Sequence, residues 1–446
     1  MTYEMIAILM FASLMVLLLT GQRVFAAIGF VASGAALLLY GQGGIEMPFS
    51  QTFKLFNWFP LLTLPLFIYM GYILSESGIA EDLYRMFHVF FGRVPGGLAI
   101  GTILLMVIIS AMNGLSVAGM AIGATIALPE MLKRGYDKVL ISGVVQGGSS
   151  LGILIPPSVV MVLYGMIARQ PVSQLWLAGV IPGLIMAGMF IGYIWMRAKL
   201  NPALAPPAPD DELNMPFVQK LALLQAGIIP FLIFFSMTGL FVTGYINLHE
   251  SAAVGATAAT LAALFKRRLT TKVIHETAFK TLAISCMFLW LILAALAFGA
   301  VFDGIGAVKA VESLFITNWH LSPWQVIIMM QVSFIILGMF LDDTAMLVIV
   351  APLYVPLVRA LDLGFDDPRD QMIWFGVLYT ITCQIAYITP PFGYNLFLMR
   401  AMAPREITLV DIYRSVWPFV VIMVFMIALL MTYPEIVMYL PHYFRG

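Results

Sequence analysis

Apolar residues occur along this chain in long blocks separated by short polar stretches. The blocks run roughly over 3–20, 24–40, 58–75, 139–167, 175–197, 218–238, 246–265, 279–301, 371–400 and 412–432. A helix crossing a bilayer needs about 20 mostly apolar residues, so each block predicts a membrane helix. Two further blocks, 97–131 and 323–360, do not fit this rule. Each is nearly twice the length of a span and carries polar residues or a proline near its middle. Such a block is either two full helices or a re-entrant hairpin that enters and leaves on one side. Irregular backbone at membrane depth is tolerated only where protein or a water-filled cavity covers it.

The two long blocks belong to an internal repeat. Pro95 precedes the first as Ser322-Pro323 precedes the second. Their centres are Ser110-Ala-Met-Asn113-Gly-Leu-Ser116 and Gly338-Met-Phe-Leu-Asp342-Asp343-Thr344, and they exit through Leu128-Pro129-Glu130 and Val355-Pro356-Leu357. Each precedes a span with a break in its middle. The first break lies in Gln146-Gly-Gly-Ser-Ser-Leu-Gly-Ile-Leu-Ile-Pro156-Pro157-Ser158, the second in Gln384-Ile-Ala-Tyr-Ile-Thr389-Pro390-Pro391-Phe-Gly393-Tyr-Asn395. Asn113 and Asp342 are 229 residues apart, Pro156 and Pro390 234. Five spans separate the hairpins, an odd number, so the second unit is inverted relative to the first. Inverted repeats with interrupted helices at matching positions point to the binding site of a secondary transporter. The reading divides the chain into scaffold helices with an interfacial segment (1–96), a first hairpin and broken helix (97–167), scaffold helices (168–322), a second hairpin and broken helix (323–400), and a last scaffold helix (401–446). Segment 79–93 mixes Leu83, Phe87 and Phe90 with Arg85 and His88, as a helix lying flat on the interface would. Segment 201–216, Pro-rich and acidic, reads as an extended linker.

Charge sets the orientation. With both long blocks as hairpins and the first on the cytoplasmic side, 17 of the 23 Lys and Arg residues fall inside. Cytoplasmic loops carry such an excess, and both termini then lie on the outer, periplasmic side. Glu4 stands where an export signal would be basic, so 3–20 reads as a retained helix.

Composition narrows the function. The chain of 446 residues is 61% hydrophobic and 10% charged, with zero formal net charge. Water is not its main solvent, and no basic field suggests a nucleic-acid partner. The two cysteines, Cys286 and Cys383, sit alone and form no metal or disulfide pattern. His249-Glu250 and His275-Glu276 complete no zinc-protease motif, and no Gly-Lys pair supplies a phosphate loop, so nothing marks an enzyme or an ATPase.

The breaks carry the candidate chemistry. Carbonyls at the end of one half-helix can hold a cation, and N–H groups at the start of the next favour an anion. Gly147, Gly148 and Gly152 let the first span unwind, Ser149, Ser150 and Ser158 add hydroxyl oxygens, and Pro156 and Pro157 lack an N–H that would need a partner. Thr389, Pro390, Pro391, Gly393 and Asn395 repeat the arrangement. Hard cations take oxygen ligands, and sodium suits a site without sulfur or imidazole. Carboxylates at membrane depth are costly and mark function. Asp342 reads as a cation ligand at the second tip, while Asp343 either binds an ion or faces a wet vestibule. Asn113 and Ser116 serve the first tip or form a helix–helix hydrogen bond.

The stretches GGSSLGILIPPS, GMFLDDTAMLVIVAPL and ITPPFGYNLF resemble the large membrane subunit, DctM type, of tripartite ATP-independent periplasmic (TRAP) transporters. The resemblance runs essentially the whole length. It implies an all-α polytopic protein of the elevator-type ion-transporter superfamily in the inner membrane of a bacterium or archaeon. It implies sodium-coupled uptake of an organic anion, such as a carboxylate or related acid. The expected partners are a periplasmic substrate-binding protein (DctP type), a small four-helix membrane subunit (DctQ type) and the lipid bilayer. Carried onto this chain, one Na+ site involves Asn113, Gly114, Ser116, Gly148, Ser149 and Ser150, and a second Asp342, Thr344, Thr389 and Pro390. The substrate is expected between the tips, near Ser116, Ser150, Pro156, Asp343, Pro391 and Asn395. Many members follow a Ser-rich first tip with an Asp; here Gly119 follows instead, which shifts the first sodium toward backbone carbonyls. A single-chain sodium–carboxylate symporter and a channel are the competing readings.

Overall fold

The computed structural model describes residues 3–57, 59–114, 116–206, 217–306, 321–339, 343–390 and 393–445. All regular elements among them are helical. Among the described residues six helices are long and apolar enough to cross a membrane: Val172–Leu200, Leu223–Val242, Leu248–Phe265, Thr271–Gly304, Pro368–Ile388 and Leu409–Thr432. The shorter helices Tyr3–Leu19 and Val24–Tyr40 sit where the first two blocks predict them. The third starts later than its block, at Thr63, and runs to Glu76. Helices Glu46–Phe56 and Glu435–Arg445 had no counterpart in the block pattern, being too short and too polar to be read as spans.

The first long block is a hairpin. Its leading arm is Gly97–Asn113, and the return arm starts at Ser116 and passes through a wide turn at Gly123–Ala127 to Leu128–Lys133. Pro129 has no N–H for the helix ladder, and a wide turn just before it absorbs the missing bond. Asp137 then starts the broken helix, its carboxylate accepting from the Leu140 N–H at 2.9 Å. Helix Lys138–Ser150 ends in a tight turn at Leu151–Ile153, and a second half-helix runs from Val159 to Ala168. The hairpin turns at the level of that break, because the Val159 N–H donates to the Gly114 carbonyl at 3.2 Å. The second half-helix extends about 15 Å past this point. The arms therefore stop partway along the span, which decides for a hairpin over two full helices.

The second unit repeats the plan. Its arms are Pro323–Gly338 and Asp343–Ala360, and its broken helix is Pro368–Ile388 followed by Tyr394–Met402. The two units run in opposite directions. Tyr164, near the end of the first broken helix, donates to the Met372 carbonyl near the start of the second at 2.8 Å. Arg359 reaches the Ala168 carbonyl on the same side. At the opposite end Lys138 donates to the Glu406 carbonyl at 3.1 Å. Each second half-helix thus packs against the other unit: Val159–Ala168 against the second hairpin's return arm, Tyr394–Met402 against the first hairpin's.

Helices Val172–Leu200 and Leu409–Thr432 pack directly on the broken helices. Small residues let them approach. A Cβ on Gly143 would lie 2.5 Å from the Ser415 carbonyl, and one on Gly147 2.2 Å from the Phe419 ring. A Cβ on Gly179 would lie 2.5 Å from the Leu154 carbonyl, inside the break. This is the small-xxx-small packing of membrane helices. It corrects the role read for Gly147 and Gly148. Both sit in helix, and a Cβ on Gly148 would lie 2.9 Å from the Met106 side chain of the hairpin, so close contact and not unwinding requires them.

The remaining helices are those expected from the sequence to be scaffold. Thr63–Glu76, Leu248–Phe265, Val24–Tyr40 and Thr271–Gly304 pack side by side. Helix Ile79–Phe91, expected flat on the interface, buries its apolar face, including Leu83, Met86 and Phe87, in protein. It packs against the first hairpin's leading arm and Phe217–Phe234. The linker is docked at its start, where the Asp137 N–H donates to the Leu204 carbonyl at 2.9 Å; residues 207–216 lie outside the described part.

Candidate functional site

The site grows from the two breaks. In the first, Ser158 is the central fastener. Its hydroxyl donates to the Ile153 carbonyl and accepts from the Met161 N–H at 3.2 Å, so one side chain closes the loop and caps the second half-helix. The Pro156–Pro157 bond is cis. Gly114 at the hairpin tip has φ +66°, and a Cβ there would lie 2.5 Å from the Pro157 carbonyl. Only glycine satisfies both the left-handed backbone and that contact. Ser149 and Ser150 are fully buried. Their hydroxyls donate to the carbonyls of Gln146 at 2.9 Å and Gly147 at 2.6 Å, one turn back. Each proton is thereby directed into the helix and each oxygen keeps its lone pairs for a ligand.

In the second break, helix Pro368–Ile388 ends as Thr389 turns to extended backbone, with its hydroxyl on the Ile385 carbonyl. The Gly393 N–H donates to the Thr389 carbonyl at 3.2 Å. A Cβ on Gly393 would lie 2.5 Å from the Tyr387 carbonyl. The second hairpin reaches the same region, since a Cβ on Gly338 would come within 2.3 Å of the Ala386 Cβ.

Two side-chain bonds join the units. Asn395, buried just after the second break, donates through Nδ2 to the Ser116 hydroxyl at the first tip, 2.9 Å away. Gln384, also fully buried, donates through Nε2 to the Ser150 carbonyl at 2.9 Å. The structure thus places Ser116 beside Asn395 and Gly114 at the first break. Asn113 closes the first leading arm, Pro156 lies in the first break, and Pro390 follows Thr389 in the second. Asp343 and Thr344 open the second return arm. Asp342 and Pro391 lie outside the described residues.

Gln384 and Gln146 were absent from the candidate residues, although each begins one of the quoted break motifs. Gln146 donates to the Ser415 hydroxyl at 3.2 Å. The Oε1 of each glutamine is buried without a hydrogen-bond partner among the described residues. Buried amides at matching places before two breaks were a legible signal, because an uncovered amide in a membrane is costly. Among the described residues no cluster of three or more His, Cys, Asp or Glu side chains gathers. The ligands on offer at the first break are backbone carbonyls, hydroxyls and amides.

These features define a polytopic membrane protein built from two inverted hairpin-and-broken-helix units, the architecture of a transporter. Residues 11–436 match the tripartite ATP-independent periplasmic transporter family, DctM component, and the chain belongs to that family as a large permease component. It is 28% identical to the C4-dicarboxylate TRAP transporter large permease protein DctM of Pseudomonas aeruginosa, over 92% of this chain and 93% of that one. It is 27% identical to the ectoine TRAP transporter large permease protein TeaC of Halomonas elongata, over 91% of this chain and 92% of that one. These relatives are permeases, not enzymes. Among solved structures, the Alcanivorax borkumensis YdaH transporter shares the fold at TM-score 0.60 and 14% identity, covering 87% of this chain and 88% of its own.

Proposed function

We propose that this permease takes up an organic anion by sodium-coupled, elevator-type secondary transport in a bacterial or archaeal inner membrane, with both termini periplasmic. A periplasmic binding protein delivers the substrate, and a small membrane subunit packs beside the scaffold. The relatives' substrates differ, a C4-dicarboxylate in one case and ectoine in another. The separately encoded binding protein accordingly sets much of the choice.

The observation that carries this reading is the docking of a hairpin tip on a break lined with oxygen. Gly114 fits against Pro157 and Val159, and Ser149 and Ser150 present hydroxyl oxygens with their protons turned away. Such oxygen-only sites suit a hard monovalent cation. One sodium sits among Asn113, Gly114, Ser116, Gly148, Ser149 and Ser150, and a second among Asp342, Thr344, Thr389 and Pro390. The anion lies between the tips, near Ser116, Ser150, Pro156, Asp343, Pro391 and Asn395. Cross-unit bonds at Asn395 and Gln384 tie both breaks into one body. That body moves with Val172–Leu200 and Leu409–Thr432, which pack on it, against the remaining scaffold.

Uptake by proteoliposomes tests the reading. The permease with its small subunit and binding protein should accumulate organic acid only with an inward sodium gradient. Accumulation by the permease alone would identify a single-chain symporter. Equilibration without any coupling ion would identify a channel. For the elevator, cysteine pairs across block and scaffold should crosslink in two distinct states, and one state under every ion condition would overturn it.

A further inference from the structure

A cleft of about 1040 Å³ opens away from the two breaks. One wall belongs to the hairpin block: the end of the first broken helix, Gly165–Gln170, and the end of the second return arm, Ala351–Arg359. The other belongs to the scaffold, with Gln51, Asn57 and the Ala295–Asp303 stretch. The cleft lies at the end where Arg359 meets Ala168, opposite the end holding Lys138 and Glu406. In the orientation set by the basic residues, this is the outer side.

Two guanidinium groups line the block wall. Arg359 donates to the Ala168 carbonyl, which places it beside Arg169 in the chain. Arg169 ends its helix with φ 53°, a left-handed position that usually holds glycine or asparagine. An arginine there keeps a fixed positive charge at the rim where a smaller residue would suit the backbone better. Neither arginine has a carboxylate within ion-pair distance among the described residues. Among the described residues of the lining one is acidic, Asp303, and it stands on the scaffold wall. Asn57 and Gln170 add amide groups. A cleft with low-dielectric walls and one dominant sign of charge concentrates ions of the opposite sign. A guanidinium recognises a carboxylate through paired N–H donors.

We propose that the Arg169–Arg359 pair is a capture site for small carboxylate anions, occupied on the outer side before the anion reaches the central site between the tips. The site rests on the transport reading above and adds a station to it. A lipid phosphate offers the same anionic chemistry, so the test separates the two sources.

The full-length chain carrying Cys286→Ser and Ala300→Cys places one reactive thiol in the cleft. Its labelling rates with a sulfonate-bearing and a trimethylammonium-bearing methanethiosulfonate, each divided by the rate with a free thiol, read the local potential. The anionic reagent should be favoured. Arg169→Gln together with Arg359→Gln should lower the preference about fivefold or more, the size expected for two nearby charges at a partly wetted site. Arg359→Lys should keep the preference, which guards against loss of the Ala168 contact, and Arg369→Gln, outside the cleft, should leave it unchanged. Succinate should slow labelling beyond chloride at equal ionic strength, in lipid-free detergent and in phosphatidylcholine nanodiscs alike. An unchanged reagent preference in the double variant would overturn the proposal. Protection by phosphatidylglycerol and none by succinate would overturn it too, in favour of a headgroup site. Because the potential is read without transport, failure here leaves the sodium-coupled reading standing, and failure of that reading leaves this measurement interpretable.

Discussion

Two helices show how differently this protein treats its block and its scaffold. Thr271–Gly304 is the longest helix among the described residues, yet only half of its most apolar stretch is buried inside the protein. Met287, Trp290 and Phe279 point outward, as a lipid-facing surface requires. Pro368–Ile388, the first part of the second broken helix, is buried at every position of its apolar stretch. It is also less apolar, with Gln371, Thr380, Thr382 and Gln384 along it. In water the more buried helix would be the more hydrophobic one. In a membrane protein the order reverses, because lipid demands apolar side chains outside while polar groups need protein partners inside. Gln371 donates to the Leu361 carbonyl at 2.9 Å, Thr382 to Gln331, and Gln384 to Ser150. The hairpins jacket the broken helices and make polar chemistry affordable at depth.

Glycines offer the sharpest test of the difference. Gly114 in the block and Gly21 in a scaffold loop both have positive φ, +66° and +79°. A Cβ on Gly21 meets nothing within 4 Å, whereas one on Gly114 meets the Pro157 carbonyl at 2.5 Å. Gly21→Ala should cost only the left-handed backbone, about 1–2 kcal/mol. Gly114→Ala adds a collision that pushes the tip off the break, and should lower stability by about 3 kcal/mol or more and abolish sodium-dependent uptake. Thermal unfolding in detergent and uptake in proteoliposomes check both. Equal losses for the two variants would erase the contrast.

Gln384→Leu comes next. It removes the bond to the Ser150 carbonyl while keeping a similar volume. Loss of one buried hydrogen bond costs about 1–3 kcal/mol. The carbonyl it orients ends the first half-helix, so half-saturation by sodium should rise several-fold while the protein still folds. Unchanged sodium activation would show that this bond does not orient the ion site.

Much of this is legible in the sequence alone. Block lengths located Val24–Tyr40 to the residue, and the matched motifs at Pro156 and Pro390 located both breaks. Hydropathy cannot say what covers a helix. It says nothing of the contacts that Val172–Leu200 and Leu409–Thr432 make: a Cβ on Gly179 would meet the Leu154 carbonyl in the break, and Phe419 fills the groove over Gly143 and Gly147. Short helices such as Glu46–Phe56 escaped because eleven residues make too small a block. The serines were found by type, but the direction of their protons, into Gln146 and Gly147, depends on helix geometry. The sequence shows Gln384 but not its partner, the Ser150 carbonyl, which lies 234 residues away.

The two cysteines probe the same contrast more gently. Cys383 is buried in the block helix and Cys286 is exposed on the long scaffold helix. Cys383→Ser places a more demanding hydroxyl at a buried position and should cost about 1–2 kcal/mol. Cys286→Ser should stay within about 0.5 kcal/mol. The difference in unfolding temperature between the variants measures the burial contrast directly.

A small effect is also expected at the scaffold's ion cluster. Asp82 accepts from Lys266 at 2.7 Å and Arg268 at 3.2 Å, while Arg268 also donates to the Ser77 and Gly78 carbonyls. These contacts fasten the turn before Ile79–Phe91 to the loop after Leu248–Phe265. Partial burial by itself would raise the Asp82 carboxyl, but the hydrogen bond and charge of Lys266, with the charge of Arg268, outweigh it and hold the group below its ordinary 3.8. A carboxylate lowered in the folded state adds stability that is complete above its unfolded value and lost as pH falls through the folded one. Stability should therefore show no contribution from Asp82 titration between pH 6 and 8, and a loss only in the acid range near and below about 4. Asp82→Asn should cost under about 1 kcal/mol at neutral pH, since the pair is partly solvated. It should also flatten the acid limb of a stability–pH curve. If the variant instead abolished uptake without changing stability, the turn at Gly78 would be a moving joint between scaffold and hairpin rather than a fixed anchor. The contrast between a rigid scaffold and a working block would then have to be drawn at Ile79–Phe91 itself.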